Sequence, residues 1–209
     1  MLNRLAPLAP LSGLVFSILG VAAFVTANGA PALGDSGERV ISFYVANGTR
    51  AMISDSLWFL AFAFFVLFAG ALRARLRDTP AGEALGSVSL AGAAMAAVGA
   101  GTYFGFDYSA ASVPGQLAPA AAQALNVLAL EMFVPLGIGG LVFCIATWLA
   151  ILRTRKLPVW LGWLALVIAL LLPGPGALAG IVALFVWTAI AAVMLWRRDT
   201  RRGQAAGSG

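Results

Sequence analysis

The sequence predicts an all-α protein: a polytopic membrane helical bundle with about six transmembrane helices and both termini cytoplasmic. Three observations predict it. Of the 209 residues, 61% are hydrophobic and 10% charged, and mean hydropathy is +0.95, whereas soluble domains carry about 25% charged residues. The apolar residues gather in six runs that meet or approach the roughly 20 residues a spanning helix needs. Eleven of the thirteen Lys/Arg residues flank those runs: Arg4; Arg73, Arg75 and Arg77; Arg153, Arg155 and Lys156; and Arg197, Arg198, Arg201 and Arg202. Under the positive-inside rule these clusters mark cytoplasmic loops and termini.

The first run covers residues 8–27. Arg4 before it and small residues in TANGA after it also fit a signal peptide, but an even number of spans requires that the run be retained. Between the first two runs lies NGAPALGDSGERVISFYVANGTR, on the outer side. There Asp35 or Ser36 can cap a short helix with Glu38 in its first turn. The apolar residues Val40, Ile41, Phe43, Tyr44 and Val45 suit a helix lying in the interface, as a surface lid over the bundle mouth or a gate over a pocket.

The second run covers 53–72 and the third 85–106. In the third, SVSLAGAAMAAVGAG places Gly92, Ala96 and Gly99 or Ala100 at helical spacing, which lets a neighbouring backbone approach closely. The fourth covers 124–152, the fifth is short at 160–172, and the sixth covers 177–196. PGPG at 173–176 predicts a tight reversal between the last two. Residues 1–198 thus form one bundle, and 199–209, ending in GQAAGSG, are read as a flexible cytoplasmic tail.

Composition excludes several chemistries. The net charge of +5 and pI near 10.4 do not point to nucleic acid, because the basic residues sit where cytoplasmic membrane loops require them. With no histidine, bis-histidine haem, histidine-ligated metals and Ser-His-Asp catalysis are excluded. No metal site or cofactor is implied. The single cysteine, Cys144, lies in an apolar run and is expected to be a buried, inert thiol.

Two acids stand out at membrane depth, Asp55 and Glu131. Such residues cost roughly 2.5–3.5 kcal/mol near a helix centre and are rare without a reason. Asp55 sits about one turn into the second run, where Ser54 and Ser56 can cap the helix and a carboxylate complements the dipole. Glu131 lies in EMFVPLGIGG. Pro135 cannot donate to the carbonyl four residues earlier and tends to kink the helix, while Gly137, Gly139 and Gly140 leave room below. A carboxyl group in such a dry hollow favours its neutral, proton-donating form. The plainer reading is a Glu satisfied by Asn126 or a serine.

Aromatic residues gather in the same half. Trp58, Phe59, Phe62 and Phe65 follow Asp55, while Tyr103, Phe104, Phe106 and Tyr108 end the third run with Asp107. Interface belts explain Tyr108, Trp160, Trp163 and Trp196; the alternative is a π-lined cavity that attracts cationic centres. Acid plus aromatic walls is what carbocation chemistry requires. The candidate site is therefore Glu131 and Asp55 as acids, with Trp58, Phe59, Tyr103, Phe104, Asn126 and Pro135 around the substrate.

The segment LPVWLGWLALV at 157–167 resembles a motif of small actinobacterial six-helix membrane proteins carrying LPxWLGWL after a short basic loop, and FAGALRARLR at 68–77 looks like the end of their second helix. This likeness implies a bacterial cytoplasmic membrane location. In size, helix number and use of two intramembrane acids, the chain is also similar to integral membrane meroterpenoid cyclases. That similarity implies a terpene cyclase that protonates a prenyl alkene or epoxide of an isoprenoid substrate, with Asp55 and Glu131 in the acid roles. The other expectations are a non-enzymatic assembly or partner subunit, permitted by the small-residue face of the third run, and a proton-coupled transporter, disfavoured by the lack of a clear internal repeat.

Overall fold

Apolar runs leave the backbone one local way to satisfy its N–H and C=O groups in hydrocarbon, the α-helix. The computed structural model describes residues 6–27, 29–172 and 176–207, and among these no strand occurs. A 3-10 turn, Ala6–Leu11, leads into α1 (Ser12–Thr26), followed by α2 (Gly37–Leu76), α3 (Pro80–Ser112), α4 (Pro119–Glu131), α5 (Phe133–Thr154), α6 (Val159–Leu171) and α7 (Ala177–Gly207). Five stretches are long and apolar enough to cross a membrane: Leu8–Thr26, Gly37–Leu76, Pro80–Ser112, Pro119–Thr154 and Ala177–Arg198. The fifth expected span is α6, whose 13 residues reach only about 20 Å at 1.5 Å per residue. The all-α bundle stands, with five span-length stretches and one short helix. The reversal expected at 173–176 falls mostly outside the described residues.

Two helices run further than their sequence suggested. The 40 residues of α2 extend about 60 Å, so the segment expected to lie along the interface is instead the first turns of α2. Ser36 caps it, accepting from the Arg39 N–H at 3.4 Å. Gly48 does not break the helix; it lets the Ala111 carbonyl approach to where a Cβ would stand 2.8 Å away. Helix α3 passes Phe106 and ends only at Ser112. Likewise α7 continues to Gly207 through the segment expected to be a tail, where Arg, Gln and Ala favour helix.

At Met132 the chain breaks between α4 and α5. Pro135, in the first turn of α5, has no N–H for the Glu131 carbonyl, and the Met132 N–H tightens onto Ala129 O at 3.0 Å. The expected kink is thus a junction of two helices, one turn before the proline.

The small-residue face of α3 packs against α5. A Cβ added at Gly92 would come within 2.5 Å of Phe143 N, at Gly99 within 2.5 Å of Leu136 N, and at Gly139 within 2.3 Å of Ala96 N. Hydroxyls stitch this and another seam: Ser89 on α3 pairs with Thr147 on α5 at 2.8 Å, and Ser17 on α1 donates to Phe185 O on α7 at 2.8 Å. Phe16, Phe65, Phe68, Phe143 and Trp187 fill the core, and Cys144 is buried as expected. At one end the basic loops meet, with Lys156 paired to Asp78 and Arg198 donating to the Lys156 carbonyl. The opposite, far end is closed by Val40 and Tyr44 of α2, Ala110 and Ala111 of α3, and Ala122 of α4.

Candidate functional site

One face of α2 carries Tyr44, Gly48, Asp55, Trp58, Ala61, Phe65 and Leu72, all buried. The three- and four-residue steps make this a single stripe facing the bundle. Asp55 lies on it about five turns after Gly37, far from the helix start, so it neither caps nor meets the helix dipole. Its serine neighbours serve other ends: Ser54 donates to Ala23 O at 3.0 Å, and Ser56 to Met52 O at 2.8 Å. Asp55 itself is 2% exposed.

Across from it stands a third acid, Asp107. The Asp55 and Asp107 carboxyl groups lie near each other on the wall of one cavity, and the Tyr44 hydroxyl donates to Asp107 Oδ1. No N–H or hydroxyl among the described residues reaches the buried Asp55 Oδ2. Two acids thus face one region of an otherwise apolar bundle.

The pair borders a cavity of about 380 Å³ whose walls include Phe24, Phe43, Asn47, Ser54, Trp58, Tyr103, Phe104, Phe133 and Leu178. A second, smaller hollow of about 60 Å³ continues from it, lined by Phe16, Phe62, Phe65, Leu136, Gly140, Leu172 and Phe185. Trp58, Phe104, Phe133 and Ile181 belong to both, so the two form one cleft. At the step between them the Trp58 and Phe104 rings stack, 5.1 Å apart and 8° from parallel. Phe16 then packs on Phe65 at 4.8 Å and Phe185 at 5.2 Å. The cleft is acidic at one end and aromatic at the other. Among the described residues no three His, Cys, Asp or Glu side chains gather in a metal-binding group.

Of the expected site residues, Asp55, Trp58, Tyr103 and Phe104 come together. Four others do not. Glu131 is exposed and lines neither hollow: the buried face of α4 runs through Ala122, Asn126 and Ala129, and two residues beyond Ala129 the helix has turned about 200°. Phe59 is 38% exposed, on the outside of α2. Asn126 is buried but donates to Ala32 O at 2.9 Å, fastening α4 to the chain before α2. Pro135 abuts the space below Gly99. Of the glycines behind it, Gly139 packs against α3, while Gly140 lines the smaller hollow beside Leu172.

Asp107, noted with the aromatics at the end of the third run, was not counted among the acids at membrane depth because the run was ended at Phe106. A signal was present. Ala93, Ala96, Ala100, Tyr103, Asp107 and Ala110 continue one three-and-four-residue stripe, which carries Asp107 to the face already occupied by the small residues. No family model, curated protein or solved structure matches the chain.

Proposed function

We propose that this chain is an intramembrane acid-catalysed enzyme of the terpene-cyclase type, acting on a prenyl alkene or epoxide of a hydrophobic isoprenoid, with the Asp55–Asp107 pair as its acid. The carrying observation is that Asp55 and Asp107 line one aromatic-walled cavity, with a buried Asp55 oxygen that no donor among the described residues reaches. The proton held by the pair adds to an alkene carbon or an epoxide oxygen and leaves a carbocation. Successive alkenes close rings on that cation, each closure trading a π bond for a carbon–carbon σ bond. Loss of a proton to the ionised pair restores both an alkene and the acid. Trp58, Phe104, Phe62 and Phe65 offer negative ring faces to the migrating charge, and a dry site strengthens that attraction.

The partner-subunit alternative rested on the small-residue face of α3. That face is occupied by α5 of the same chain.

The test is conversion of farnesylated and geranylgeranylated aromatic compounds by purified protein, read by mass spectrometry. Cyclised product is expected, with Asp55→Asn and Asp107→Asn slowed about 100-fold or more, the usual scale of a general acid. Wild-type rates in both variants would remove the pair from the chemistry.

A further inference from the structure

The larger hollow has its polar groups at the back and its apolar groups at the rim. Asn47, Ser54 and Asp55 of α2, with Tyr103 and Asp107 of α3, are buried or half-buried along the inner wall. Among the described residues, the exposed lining residues are Phe24 at the end of α1, Ala27, Gly29 and Ala30 just after it, Phe133 at the start of α5 and Leu178 at the start of α7. Phe24 is 46%, Phe133 37% and Leu178 58% exposed. None of these six carries a side-chain hydroxyl, amide or charge. An opening onto water would leave large apolar groups hydrated at its lip, whereas an opening onto hydrocarbon favours this rim.

Helix α6 packs on both α5 and α7, and Phe133 of α5 and Leu178 and Ile181 of α7 line the cleft.

We infer that the gap bounded by Phe24, Phe133 and Leu178 is a lateral portal, through which a membrane-dissolved, single-chain isoprenoid amphiphile enters from the bilayer. This rests on the cleft being the reactive site, and it adds the route and the physical state of the substrate. The chain slides in past Leu178 and Ile181, so that its unsaturated carbons come to lie on Trp58 and Phe104 beneath the acid pair. A substrate delivered this way is selected by partition into the membrane before it is selected by shape.

The test uses full-length protein in phosphatidylcholine vesicles and a diazirine-bearing geranylgeraniol as photolabel, with labelled residues mapped by mass spectrometry. Label is expected on the rim at Leu178 or Phe24 and on the wall at Trp58 or Phe104. Leu178→Trp and Phe24→Trp should each lower wall labelling roughly tenfold. Val98→Trp, exposed on α3 and lining neither hollow, should leave it unchanged. Asp55→Asn should still label, because binding precedes protonation. Wall labelling that survives both rim variants, or that never occurs, overturns the portal. Expected labelling with no cyclisation by the wild type upholds the portal and sinks the enzymatic reading. Normal cyclisation in both rim variants does the reverse.

Discussion

Asp55 on α2 and Asp107 on α3 bring their carboxyl groups near each other inside an apolar bundle, and Tyr44 donates its hydroxyl to the second of them. Replacing Asp107 by an apolar group removes the acceptor of Tyr44 as well as the neighbour of Asp55. Asp107→Leu leaves the Tyr44 hydroxyl and the Asp55 carboxyl unpartnered, and should lower stability by about 1–3 kcal/mol per orphaned group. Asp107→Asn keeps an acceptor for Tyr44 and offers an N–H to Asp55, so its loss should stay within about 1 kcal/mol. Thermal unfolding in detergent compares the two.

The stacked rings of Trp58 and Phe104 lie where a cation would pass below the acids. Trp58→Leu keeps the wall apolar and removes the quadrupole. A desolvated cation–π contact is worth about 2 kcal/mol, which corresponds to roughly 30-fold in rate. Trp58→Phe should recover most of it. Single-turnover rates, with folding checked by gel filtration, decide this.

Glu131 provides the contrasting case. Exposed and outside the cleft, it should tolerate Glu131→Gln with turnover within roughly twofold of the parent, a barrier change under about 0.5 kcal/mol. A hundredfold loss would return the acid role to Glu131.

The seam between α3 and α5 tests the packing. Gly92→Ala, Gly99→Ala and Gly139→Ala each drive a methyl group onto backbone of the facing helix, where little can shift, and should cost about 1–3 kcal/mol or more. Gly101→Ala and Gly105→Ala, on the same helix with nothing within 4 Å of the added carbon, should be neutral or gain up to about 1 kcal/mol from helix propensity. Melting temperatures of the five variants should separate into these two groups.

The bundle was legible because hydrocarbon permits few backbone solutions, and runs such as 85–106 could hardly be anything but helix. The close α3–α5 approach was legible too, since Gly92, Ala96 and Gly99 recur at a spacing with a steric meaning. The acid pair was not. Hydropathy counts residues along the chain and ignores rotation about the helix, so Glu131 and Asp55 looked alike although one faces outward and one inward. Continuing the buried stripes of α2 and α3 by phase selects Asp55 and Asp107 together. The length of α2 was hidden for a related reason: polar residues between Gly37 and Ile53 read as a break between a short interfacial helix and the second run until the packing of Val40 and Tyr44 on α3 and α4 is known.

Deuterium transfer tests the acid pair most directly. The purified protein would be given a geranylgeranylated aromatic compound in heavy water, with any product weighed and its label located by NMR. One deuterium at the carbon that begins the cyclisation is expected in the wild type and in Glu131→Gln, with almost no product from Asp55→Asn. Cyclised product without deuterium, or with Asp55→Asn as active as the wild type, would contradict a proton delivered by Asp55 and Asp107.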